Sequence, residues 1–147
     1  MADVYVFDAR LDAYSSGDRV TRRLALRSDE TLEALHRLIQ EAFEWDDDHL
    51  YSFWLDGKFW GARETEYTSP LNLVSPLDLW DQEAKSACVE IGELGLQPRQ
   101  RIAYIFDFGD EWRVWLRLRE TRPAGATGIL DRKGEAPPQY PAYEDEE

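Results

Sequence analysis

The sequence predicts an α+β protein in which one main helix packs on a mixed or antiparallel sheet, in a β-grasp-like ββαββ order with a long irregular insertion. Three observations predict it. Residues 4–11 and 20–27 alternate apolar with polar side chains, the period of half-buried strands. Leu32, Leu35, Ile39, Ala42 and Phe43 recur at helical spacing. Residues 101–108 and 111–122 read as a closing hairpin whose turn holds Asp107, Gly109 and Asp110.

Taken in order, the first strand places Tyr5, Phe7, Ala9 and Leu11 on one face. Ser15-Ser16-Gly17-Asp18 turns the chain, and Val20, Arg22, Leu24 and Leu26 then alternate with Thr21, Arg23, Ala25 and Arg27, so the two segments pair as a hairpin. Ser28 or Asp29 is the expected cap of a helix over 31–44, with Glu30 and Glu33 at the positive end of its dipole. His36 falls at the edge of the apolar stripe, where one wet face is expected. Leu50 to Leu55 reads as a strand, and Asp56-Gly57 as a two-residue turn into a return strand at Lys58-Phe59-Trp60. Residues 61–86 lose periodicity and carry Pro70 and Pro76. Residues 88–96 read as a short strand or one helical turn stopped by Pro98. In the closing hairpin Phe106 and Phe108 share a face by the period of two, with Asp107 opposite and Gly109 supplying a positive φ. The division expected is one domain over 1–122 and a Pro/Gly-containing acidic tail over 123–147.

Composition narrows the classes. Hydrophobic residues make up 43% of 147, enough for one packed core. The lone Cys88 cannot close an internal disulfide and reads as a small apolar core residue. No apolar run approaches a membrane span, and Met1-Ala2-Asp3 does not begin a leader, so a cytoplasmic protein is the expectation. The net charge of −13 argues against nucleic acid spread over the whole surface.

Two segments carry a resemblance. Trp45 followed by Asp46-Asp47-Asp48 and His49-Leu50-Tyr51-Ser52-Phe53, and Tyr104-Ile105-Phe106-Asp107-Phe108-Gly109-Asp110-Glu111-Trp112, resemble the paired motifs of the plasmid pRiA4b ORF-3-like family, some of whose members are labelled TnpR-type passenger proteins of insertion elements. The resemblance extends over residues 4–122 and implies a shared fold, but no biochemistry, because the family is functionally uncharacterised. The recombinase label fits these residues poorly: Arg27-Ser28 reads as a helix cap, and neither a second domain nor a broadly basic surface accompanies it.

The chemistry on offer is limited. Asp107-Phe108-Gly109 coincides with a kinase tripeptide, without the glycine loop, strand lysine or catalytic loop that kinase chemistry needs. His49, Asp107 and Asp110 are weak candidates for a metal-dependent hydrolase, since oxygen ligands beside an imidazole would suit a hard divalent cation. The bland alternative is that turn carboxylates bond their own backbone and His49 is a core donor. That alternative is preferred, and no cofactor or metal is expected. Trp45, Tyr51, Phe53, Tyr104, Phe106, Phe108 and Trp112 read as core aromatics of the motifs. On the last strand Val114, Leu116 and Leu118 take one face, leaving Arg113, Trp115, Arg117 and Arg119 in a row on the other, extended by Arg22 or Arg23 of the first hairpin. Arginine and tryptophan dominate interface energies, so this row is the expected binding surface. The expected function is therefore a non-catalytic interaction module whose partner is a protein with an acidic segment, with the chain's own tail Glu144-Asp145-Glu146-Glu147 as a competitor for the same face.

Overall fold

The computed structural model describes residues 3–12, 20–46, 50–70, 85–108 and 111–134. They form an α+β fold. Strands β1 (Val4–Leu11), β2 (Thr21–Arg27), β3 (Tyr51–Trp54), β4 (Glu66–Thr68), β5 (Lys85–Ser86), β6 (Arg101–Phe106), β7 (Trp112–Arg122) and β8 (Gly128–Lys133) make one sheet, and helix α1 (Leu32–Phe43) lies on one side of it. The spatial order is β5-β4-β3-β6-β7-β1-β2-β8. Among the described residues all neighbours are antiparallel except β4 and β5, which makes the sheet mixed.

One helix on a mixed sheet is as expected, whereas the chain order β1-β2-α1-β3-β4-β5-β6-β7-β8 is longer than the expected ββαββ. β1 runs antiparallel to both of its neighbours, and the sheet is widened by β3-β4-β5 on one side and β8 on the other. Alternation along the strands fixes the core. Phe7, Ala9 and Leu11 of β1, Leu24 and Leu26 of β2, Ile102, Tyr104 and Phe106 of β6, and Val114, Leu116 and Leu118 of β7 all meet the α1 stripe. Each Val, Leu, Ile or Phe among them contributes about 1.5–3 kcal/mol by leaving water.

Several local expectations are corrected. Thr31 caps α1, not Ser28 or Asp29: its Oγ1 accepts from the Ala34 N–H at 3.1 Å. Two further open N–H groups of the helix, those of Leu32 and Glu33, donate to the Val89 and Ala87 carbonyls at 3.0 and 2.9 Å, so residues 87–89 complete the cap. The partner of β3 is β4, because Asp56 accepts from the Lys58 and Ala62 N–H groups and folds 58–62 into a tight loop instead of a strand. Gly57, at φ +75°, makes the turn; a Cβ there would sit 3.0 Å from Arg101. The 61–86 stretch is thus interrupted by a 3-10 turn at Arg63–Thr65 and by β4 and β5, and 88–96 contains only the 3-10 turn Ile91–Glu93. Phe106 and Phe108 lie on opposite faces. Asp107 between them adopts the left-handed φ of +66°, which rotates the chain, so Phe106 enters the helix-side core while Phe108 packs with Trp54, Ala103 and Ile105 outside. Gly109, expected to supply the positive φ, lies outside the described residues, as do Asp110, Asp47, Asp48 and His49. His36 is buried, not at a wet boundary, and Cys88 is exposed, its buried neighbour Ala87 taking the core position. Gly128–Lys133, assigned to a tail, pairs with β2 and continues the sheet past residue 122. The acidic tip 144–147 lies outside the described residues.

Candidate functional site

The two motifs meet at one end of the sheet and form a single packed unit. Tyr51 faces Phe106 and Phe53 faces Tyr104 across β3 and β6, and the Asp107 N–H donates to the Leu50 carbonyl at 2.9 Å. Trp45, just past the helix, stacks between Phe43 and Phe106 at centroid distances of 5.2 and 5.6 Å and meets Trp112 at 5.3 Å. His36 stacks on Tyr51 at 3.6 Å, its Nδ1 lies 2.7 Å from the Tyr104 hydroxyl, and the Gln40 amide donates to that hydroxyl at 2.9 Å. These are helix-to-sheet ties. Asp107 itself is buried at the strand end, its carbonyl accepting from the Glu111 N–H. Among the described residues no three His, Cys, Asp or Glu side chains gather as a metal site would require.

The outer face is built differently. Phe59 and Phe108 cover Trp54, Ala103 and Ile105 at one end, and at the other Val4, Val6 and Ala25 form a small buried cluster with Gly125 against Val4; a Cβ on Gly125 would lie 3.0 Å from Val4. Between these clusters the sheet is open. Strand register sets two cross-strand rows there: Thr21, Arg10, Trp115, Ala103 and Trp54 in one, and Arg23, Asp8, Arg117 and Arg101 in the next. Of these residues Asp8, Arg10, Thr21, Arg101, Trp115 and Arg117 line a channel of about 380 Å³.

The expected row Arg113, Trp115, Arg117 and Arg119 does lie on this face, opposite buried Val114, Leu116 and Leu118. Its members are not equivalent. Arg113 is held by Glu111 at 2.7 Å and lies 5.0 Å over the Phe59 ring. Arg119 and Arg23 share Asp8, at 3.3 and 3.1 Å. Arg117 is exposed and makes no ion pair among the described residues, and neither do Arg10 and Arg101, which the sequence reading missed. Their faces were readable, since Arg10 alternates against Leu11 and Arg101 against Ile102. Their meeting depends on β6-β7-β1 being adjacent, which alternation does not encode.

Arg22 does not belong to this face. It alternates with Leu24 and Leu26 on the helix side, where it is buried, donates from Nε to the Ala42 carbonyl at 2.8 Å, and binds the Thr21, Lys133 and Gly134 carbonyls through one terminal nitrogen. It therefore closes the C-terminal end of α1, where helix carbonyls are open and the dipole is negative. Burial lowers its pKa, as does Arg132, with Glu44 opposing.

Glu111 is lowered as well, chiefly by the hydrogen bond from Arg113, then by that from the Trp60 indole, with burial acting in the opposite sense. Phe59 lies edge-on to Trp115 at 4.3 Å, which half-buries that indole, and Ala103 is the small residue over which Phe59 fits.

The fold and this face define an α+β sheet protein with one side covered by a helix and the other open between two small apolar clusters. The chain belongs to the plasmid pRiA4b ORF-3-like family, whose model matches residues 3–140. It is similar to the uncharacterized protein y4hQ of Sinorhizobium fredii, 28% identical over 123 residues that cover 82% of this chain and 58% of y4hQ, so it spans under two thirds of that relative. Among solved structures it is similar to the protein of unknown function MM3350 from Methanosarcina mazei Go1, with a TM-score of 0.72 and 20% identity over 95% of this chain and 74% of that one; this likeness concerns the fold. Among the described residues no helix is long and apolar enough to cross a membrane.

Proposed function

We propose that this protein is a non-catalytic binding module which receives an acidic segment of another protein in the channel of Arg10, Arg101, Arg117 and Trp115. The observation that carries the reading is the contrast in pairing: three exposed guanidiniums line one channel with no ion-pair partner among the described residues, in a chain of net charge −13. In such a chain carboxylates are plentiful, so uncommitted arginines are the unusual feature. Guanidinium forks bind carboxylates through two parallel hydrogen bonds, stronger than neutral ones and geometrically selective. The overall negative field opposes an acidic ligand at long range, but exposed charges are screened over about 8–10 Å, so contact is governed by the local cluster.

The test is a polarisation titration of a labelled Asp/Glu-rich peptide against wild type, Arg101→Glu, Arg117→Glu and Arg113→Glu. Reversal at Arg101 or Arg117 is expected to weaken binding at least tenfold, and reversal at Arg113, already held by Glu111, less. Equal binding of a neutral peptide of the same length, or insensitivity to both unpaired arginines, sinks the reading.

A further inference from the structure

Beside the channel stands Trp60, 52% exposed although its ring is organised from three sides. Its Nε1 donates to Glu111 Oε1 at 3.3 Å, and its ring lies 5.2 Å from Trp54 and 5.6 Å from Phe108. Its backbone occupies the left-handed region at φ +54°, uncommon for a residue with a side chain. The loop that carries it is tied by Asp56 to the Lys58 and Ala62 N–H groups. An indole that only covered Trp54 could lie flat on it; this one is fixed while leaving half of itself in water. A fixed aromatic surface binds with little loss of rotamer freedom, which is what an anchor position requires.

Trp60 is also continuous with the channel. Phe59 bridges from it to Trp115, and Arg10 follows Trp115 in the same cross-strand row. From β3, under Trp60, to β7, under Trp115, is two strand spacings, about 10 Å, a distance that about three residues of extended chain cover.

Resting on the reading of the channel as an acidic-segment site, we infer that the partner segment carries one aromatic or branched aliphatic side chain about three residues from its carboxylates, and that Trp60 is the platform receiving it. Single-stranded nucleic acid could offer phosphates and bases to the same surface, but the net charge of −13 disfavours a polyanion over a short segment with mixed character.

The experiment is selection from a displayed library of random octapeptides over-representing Asp and Glu, on wild type, Trp60→Ala and the double variant Arg101→Glu/Arg117→Glu, each checked for an intact thermal transition. Wild type is expected to enrich peptides holding both acidic residues and one aromatic or branched aliphatic residue about three positions away. Trp60→Ala should keep the acidic preference and lose the apolar one, with selected peptides at least tenfold weaker, whereas the double variant should lose the acidic preference. Asp56→Ala, which leaves the indole but releases its loop, should weaken the apolar preference and so serves if Trp60→Ala fails to fold. Acidic enrichment without an apolar preference overturns this inference and leaves the channel reading standing. No acidic enrichment overturns both. A single-stranded oligonucleotide that outcompetes the selected peptides also overturns both.

Discussion

Arg22 and Arg117 lie on opposite faces of one sheet and are used in opposite ways. Arg22 is buried, and four backbone carbonyls take up its hydrogen bonds. Arg117 is exposed beside Arg10 and Arg101 with no ion-pair partner among the described residues. The difference teaches that this sheet uses one arginine on the helix side to complete backbone structure, while Arg10, Arg101 and Arg117 on the outer side make no ion pair among the described residues. The aromatics divide likewise. Trp45 and Phe106 are packed within the core, while Trp60 and Trp115 keep part of their rings in water.

This contrast can be broken by substitution. Phe106→Ala, which empties the centre of the motif unit, should cost about 3–5 kcal/mol in chemical denaturation; a loss below 1 would place the motif outside the core. Arg22→Met should cost about 2 kcal/mol, because a charged donor is removed from the carbonyls it holds. Tyr104→Phe leaves Gln40 and His36 without their shared hydroxyl and should cost about 1–3 kcal/mol. Thr31→Ala should cost about 1 kcal/mol while Ser28→Ala costs a few tenths, which separates the observed cap from the expected one. Arg117→Glu should change stability by no more than about 0.5 kcal/mol, as exposed, unpaired positions do.

The smallest effect concerns pH. Glu111 is held below the ordinary carboxylate range by Arg113 and Trp60. A depressed folded-state pKa means that the Glu111 bonds are intact above the ordinary carboxylate value and are lost as pH falls through the lowered one. The emission difference between wild type and Trp60→Phe should therefore change as pH falls, with a midpoint below the ordinary carboxylate value. A midpoint at or above the ordinary value would contradict the lowering of Glu111 by Arg113 and Trp60.

Much of this architecture was legible. The faces of β1, β2 and β7, the helix stripe and the motif aromatics follow from periods of 2 and 3.6, and Arg22's place beside Leu24 was visible in the same alternation had its burial been accepted. What escaped has physical causes. Phe108 reversed because Asp107 took the left-handed conformation that was assigned to Gly109, although aspartate is among the side chains that tolerate it. β4 and β5 are three and two residues long, too short to show a period. Arg10 and Arg101 were missed because a site made across strands requires strand order, and strand order comes from tertiary packing. Trp60 was placed in a return strand because Asp56 was read as a turn residue only, not as the acceptor that folds the loop back.

The most direct measurement follows the arginine Nε–Hε resonances by NMR while an Asp/Glu-rich peptide is added. The account predicts that Arg10, Arg101 and Arg117 shift together and saturate with one affinity, while Arg22 stays fixed. Saturable binding that leaves those three unmoved would contradict it.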